Sequence, residues 1–155
     1  MSAAACSPAG ARRLFNDVAC DRIWWLCVAA GPVVWLMLLA LGMDRPSGWP
    51  SASTLVYGVL LYPALEEIVF RGLLQSMLLQ YLVMQLRIGP ISLANVTASL
   101  AFAASHLIYH SPVHAASVLL PSLVFGYVYE RYRQVLPCIL LHAFYNAGFL
   151  CLFAS

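Results

Sequence analysis

The segment from Ile23 to Met43 carries no charged side chain and is about as long as the roughly 20 residues a helix needs to cross a hydrocarbon core of about 30 Å. Further uncharged runs cover Ile91 to Tyr109, Val113 to Tyr129 and Val135 to Phe153. Between the first run and these lies Ser53 to Leu86, whose only formal charges are Glu66, Glu67 and Arg71. Charged residues make up 9% of the whole chain, against about 25% in an ordinary soluble domain, which marks an integral membrane protein. The expected fold is all-α: a polytopic transmembrane helical bundle of about five spans. Residues 1–22 form an N-terminal arm and residues 23–153 a single transmembrane domain, with no internal repeat. Retained arginines precede a first run too long for a signal peptide, so that run reads as an anchor.

One stretch is too long. At 1.5 Å per residue, Ser53 to Leu86 makes about 50 Å of helix, so it must tilt, break or emerge. Pro63 is the natural break, giving six helices in place of five if the chain divides there. Gly42, Pro46, Ser47, Gly48 and Pro50 mark the turn before it, and Arg87, Gly89 and Pro90 the turn after it. The chain has no lysine, and its eight basic residues are arginines. With five spans, Arg12, Arg13, Arg22, Arg87, Arg131 and Arg133 share one side and Arg45 lies on the other. The positive-inside rule then places the N-terminus in the cytoplasm. No basic patch serves nucleic acid. Cys6, Cys20, Cys27, Cys138 and Cys151 fall in no ligand-like spacing. Asn95, in an Asn-Val-Thr sequon, lies inside a span and out of reach of glycosylation.

The polar residues within the spans are few, and each is costly. A charge at a span centre costs about 2.5 to 3.5 kcal/mol even on lenient insertion scales, so such residues are functional candidates. Glu67 and Arg71 are four apart and share a helix face, which reads as a structural ion pair. Glu66 points about 100° away and has no basic residue at i+3 or i+4. A buried carboxylate without a cation is a stronger base than an exposed one, which is what general-base chemistry near neutral pH requires. His142 and Asn146 share a face, a geometry suited to presenting two donors to an oxyanion. His106 lies on a third span. His106, His110 and His114 are also spaced by four, but Pro112 interrupts the helix between the last two, which counts against a three-histidine metal site.

Glu66-Glu67-x-x-x-Arg71, Phe102-x-x-x-His106 and His142-x-x-x-Asn146, in that order on separate spans, closely resemble the motifs of the CPBP family of intramembrane proteases (CAAX proteases and bacteriocin-processing or self-immunity proteins). The run FGYVYERYRQVLPCILLHAFYN is similar to the family's approach to its last motif, and the resemblance covers about residues 60–150. It implies that Glu66, helped by His106, activates water, that His142 and Asn146 stabilise the oxyanion, and that Glu67 and Arg71 support the site. Phe102 is then a packing residue. The chain looks like a compact bacterial member of an inner membrane, similar to those that act on C-terminal sorting tails. Its partners would be a membrane-anchored protein or peptide substrate and the lipid bilayer.

No HExxH helix is present, so the expected chemistry is of the glutamic type and needs no metal or other cofactor; a zinc held by Glu66, His106 and His142 is the alternative. A non-catalytic binding or immunity protein, or a small proton-coupled transporter, would use the same cluster without peptide hydrolysis. Depth raises a conflict. Counted from the span ends above, His142 lies about 10 Å from the arginine-rich end and His106 over 20 Å from it. Straight, centred helices would keep them apart.

Overall fold

The computed structural model describes residues 8–43 and 48–153. Cys6 and most of the loop with Asp44 and Arg45 lie outside the described residues. Helix α1 covers Pro8–Ala19 and α2 Arg22–Ala40. Helix α3 runs over Ala52–Leu78 and is followed by a 3-10 turn, Leu82–Gln85. A two-stranded antiparallel hairpin, β1 (Arg87–Ile88) and β2 (Ile91–Ser92), turns the chain through Gly89 at φ +61° into α4, Leu93–His106. Helices α5 (Pro112–Ser117) and α6 (Leu119–Tyr132) follow one another, and α7 is Val135–Phe153. The fold is a helical membrane bundle, as the long apolar runs require.

Four segments are long and apolar enough to span a bilayer: α2, α3, Pro112–Tyr132 and α7. The run expected as a further span, Ile91 to Tyr109, is instead the shorter α4. Its 14 residues make about 20 Å of helix, because Ser92 caps its start and the chain leaves it at His106. Glu66 stands about 18 Å from the Leu78 end of α3, His106 about 20 Å from the start of α4 and His142 about 10 Å from the start of α7, so their meeting requires helix ends that are offset in depth.

Pro63 does not divide α3. A proline inside a helix has no N–H to donate and crowds the carbonyl four residues back. Here the preceding turn, Val56–Leu61, widens to a π-helix, and Tyr62 N–H bonds the Tyr57 carbonyl five residues back. A second π-helical stretch covers Ile68–Gln75. Residues four apart on an α-helix drift by about 40° per step, and wider turns take that drift back. Glu67, Arg71 and Gln75 therefore stand on one line, all fully buried.

That line faces α6, which packs closely on α4. Ala94, Ala98 and Ser99 let the two backbones approach. Gly126 is required there, because a Cβ would lie 2.0 Å from Asn95 Oδ1. The Asn95 amide donates to the Leu123 carbonyl at 2.9 Å and accepts from Ser99 Oγ at 3.0 Å. It is buried, in keeping with a sequon no glycosyltransferase can reach. Phe125, Val128, Tyr129, Cys138 and Leu141 complete the core between α6 and α7. At one end, Asp21 pairs with Arg131 and accepts from Tyr132 Oη at 2.7 Å, while Glu130 pairs with Arg87. Arg87 and Arg131 thus share an end, so α4, although short, carries the chain back between α3 and α6.

Candidate active site

Glu67 is the hub of the polar cluster. Its Oε2 accepts from Arg71 Nε at 3.2 Å, the pairing expected from their spacing. Its Oε1 accepts from His142 Nδ1 at 2.9 Å, which the spacing did not reveal. An ionised carboxylate can only accept, so Nδ1 carries the proton, and Nε2 is turned toward Glu66. The rings around His142 fix that orientation. Phe125 stacks on it with centroids 4.6 Å apart, and Phe102 meets it edge-on at 5.9 Å.

Glu66 lies beside the hub with a different environment. Its Oε2 is 3.6 Å from His142 Nε2, just beyond hydrogen-bond length, and its side chain is 30% exposed where that of Glu67 is fully buried. The carboxylate read as lacking a basic neighbour on its own helix therefore has one on α7. Arg71 is held from the other side as well. Its Nη2 donates to Ser122 Oγ at 2.6 Å and to the Ser122 carbonyl at 2.9 Å, and its guanidinium centre lies 5.7 Å from the Phe102 ring centroid.

Phe102 links the three motifs by packing. It touches Arg71, His142 and Phe70, and its ring centroid is 4.6 Å from that of His106. The Phe102 carbonyl takes the His106 Nδ1 hydrogen at 2.9 Å. A carbonyl only accepts, so a neutral His106 has its lone pair on Nε2, away from its own helix. Beyond His106 the chain turns at Pro112, yet the turn folds back. His110 and His114 stack on each other at 4.4 Å and lie 5.8 and 6.1 Å from His106.

Asn146 stands apart from this network. Its Nδ2 donates to the Gly58 carbonyl at 2.9 Å. The reason lies in Pro63: the π-turn pattern assigns Gly58 the N–H five residues on, and that residue is the proline. Asn146 supplies the missing donor and keeps its second amide hydrogen. Sequence reasoning missed this bond, and missed Ser122 and Phe125 as partners of the site. The Gly58 to Pro63 interval was the one available signal. Among the described residues, no group of three or more His, Cys, Asp or Glu side chains is arranged to hold a metal ion, so Glu66, His106 and His142 do not make a formed zinc cage.

No curated protein and no solved structure matches the chain significantly. The family model described as type II CAAX prenyl endopeptidase Rce1-like matches residues 48–148, a range that holds Glu66, Glu67, Arg71, Phe102, His106, His142 and Asn146. With that match over most of its length and a buried Glu, Arg and His cluster in the matched part, the chain belongs to the Rce1-like family of CAAX-type intramembrane proteases.

Proposed function

We propose that the protein is a glutamic-type intramembrane endopeptidase in which Glu66 and His106 activate water and His142 and Asn146 hold the oxyanion. The observation that carries this reading is the meeting of Glu66, Glu67 and His142 from two helices, at 3.6 and 2.9 Å, beside a fully buried arginine. Glu66 is the partly exposed member, and water reaches it. It takes a proton from that water, with the Nε2 lone pair of His106 assisting, and the oxygen forms a bond to the scissile carbonyl carbon. The carbonyl oxygen gains the negative charge. His142 meets it from Nε2, and Asn146 offers the amide hydrogen that Gly58 does not use. Collapse breaks the C–N bond, and the proton on Glu66 passes to the leaving amine. Glu67 and Arg71 do no chemistry in this scheme; they orient His142.

The substrate is a membrane-anchored protein or peptide cut near its lipid-embedded end, and the protein sits in a bacterial inner membrane with its N-terminus in the cytoplasm. The family's description names a prenyl endopeptidase, so a farnesylated peptide with a CAAX end is the first substrate to offer, and an unprenylated transmembrane-anchored peptide the second. In proteoliposomes, with products read by mass spectrometry, Glu66→Gln is expected to lower kcat about 10²- to 10⁴-fold. A Glu66→Gln protein that cleaves as fast as its parent removes the mechanism. Activity lost to a chelator and restored by zinc would assign the chemistry to a metal. Peptide capture without cleavage, with a phenotype that survives both Glu66→Gln and His142→Ala, would identify a non-catalytic binding protein.

A further inference from the structure

Arg71 and Gln75 stand one turn apart on α3, and both are fully buried. Each reaches the same facing helix. Arg71 Nη2 bonds Ser122 through its carbonyl and its hydroxyl, while Gln75 Nε2 donates to the Gly126 carbonyl at 3.1 Å and to Glu130 Oε1 at 2.9 Å. Ser122 and Gly126 are themselves one turn apart on α6, so the two side chains form parallel rungs between the helices. Beside those rungs one donor and one acceptor are left over. Arg71 Nη1 and Gln75 Oε1 are buried and have no partner among the described residues. A guanidinium nitrogen only donates and an amide oxygen only accepts, so the two are complementary. The rungs keep both heads from turning out to water. The Phe102 ring attracts the cation and does nothing for Gln75.

We propose that Arg71 Nη1 and Gln75 Oε1 bind one water molecule between them, joining the active-site cluster to a second buried cluster around Glu130, and that Gln75 and Glu130 are positioning residues for the site. Two polar partners are the minimum that a buried water needs. The second cluster is well defined: Glu130 Oε1 also accepts from Ser92 Oγ, and Oε2 pairs with Arg87. With the water in place a hydrogen-bonded column runs His142, Glu67, Arg71, water, Gln75, Glu130, Arg87, from the site to the arginine-rich end. Releasing Gln75 leaves Nη1 without its water, so the guanidinium tilts on its Ser122 anchor, Glu67 Oε2 follows it, and Oε1 shifts against His142. The positioning role rests on the catalytic reading of this cluster; the water does not.

The test uses the full chain in lipid nanodiscs and NMR, with bulk water as the probe and the ring nitrogens of four histidines as reporters. In the parent, the Arg71 guanidinium protons are expected to show exchange contacts to a long-lived water. Gln75→Met should lose those contacts and shift the His142 ring nitrogens while leaving His110 in place. Gln75→Glu and Glu130→Gln preserve volume, so a packing role predicts no effect from either. The column predicts that Gln75→Glu, which sets two carboxylates face to face, shifts His142 and lowers kcat at least about tenfold with KM within about twofold. Combining it with Glu130→Gln returns one carboxylate and one carboxamide to the interface and should recover most of the loss. Should Gln75→Met fail to fold, the volume-preserving pair carries the test. No water contact at Arg71 in the parent, or one that persists in Gln75→Met, overturns the water, and an unmoved His142 overturns the positioning. A column present in a parent that cleaves nothing overturns the catalytic reading and leaves the water standing.

Discussion

Glu66 and Glu67 are neighbours in sequence with opposite surroundings, one 30% exposed beside His142 and the other fully buried between Arg71 and His142. Their removal should separate chemistry from stability. Glu67→Gln leaves a buried arginine without its anion, and breaking such a pair costs about 3 to 5 kcal/mol. Glu66→Gln leaves no buried charge unpaired and should unfold within about 0.5 kcal/mol of the parent. Denaturation of both variants in mixed micelles checks this, and equal losses would refute the division of roles. At this scale the sequence was informative about what lies close along the chain. The Glu67 to Arg71 pair follows from a spacing of four on one helix. The Glu67 to His142 bond joins residues 75 apart, and helical periodicity carries no information about which helix packs opposite. For that reason Glu67 read as a partner of Arg71 alone.

For α3, the sequence shows that Pro63 must disturb the helix; it does not show how. A break and a wide turn both relieve the proline, and the wide turn leaves the Gly58 carbonyl needing a donor from elsewhere. Asn146 on α7 is that donor, 88 residues away. Pro63→Ala supplies an N–H at position 63 and removes the reason for the π-turn. The Gly58 carbonyl is then satisfied within α3 and Asn146 is released. If Asn146 must be held in place to meet an oxyanion, kcat falls about 10-fold or more with little change in folding stability. Unchanged kcat would show that the Gly58 bond has no part in catalysis. A second element-level prediction concerns the start of α2. Asp21 caps that helix at Ile23 N–H, and the Arg131 guanidinium, with Tyr132 and Ile23 assisting against the cost of burial, holds its carboxyl down to about 2. A folded value below the ordinary one means that the stabilisation is complete above about pH 4 and is lost as the pH falls toward 2. Trp24, whose ring meets Tyr132 edge-on at 6.4 Å, reports the junction. Its indole N–H resonance should move across that interval in the parent and stay flat in Asp21→Asn. A parent resonance that is equally flat would separate Asp21 from the junction.

Across the described molecule, paired arginines gather at one end. Asp21 with Arg131, and Arg87 with Glu130, draw the start of α2, the hairpin and the end of α6 together there. Excess arginine in short loops marks the cytoplasmic side, so this end should face the cytoplasm. Cys20 lies at that end between α1 and α2 and is exposed and free, which makes it a natural reporter. In a variant keeping Cys20 and lacking the other cysteines, a membrane-impermeant maleimide should label inverted vesicles and leave intact spheroplasts unlabelled. The reverse pattern would place the arginine-rich end outside and bring the second cluster, with Glu130 and Arg87, to the outer face. The same assay tests the cause. Replacing Arg131 and Arg133 by glutamine removes charge from one loop at that end, and mixed labelling from both sides would show that the arginines set the orientation. Unchanged one-sided labelling would shift that role to the arm ahead of α2, where Arg12, Arg13 and Arg22 precede the first span.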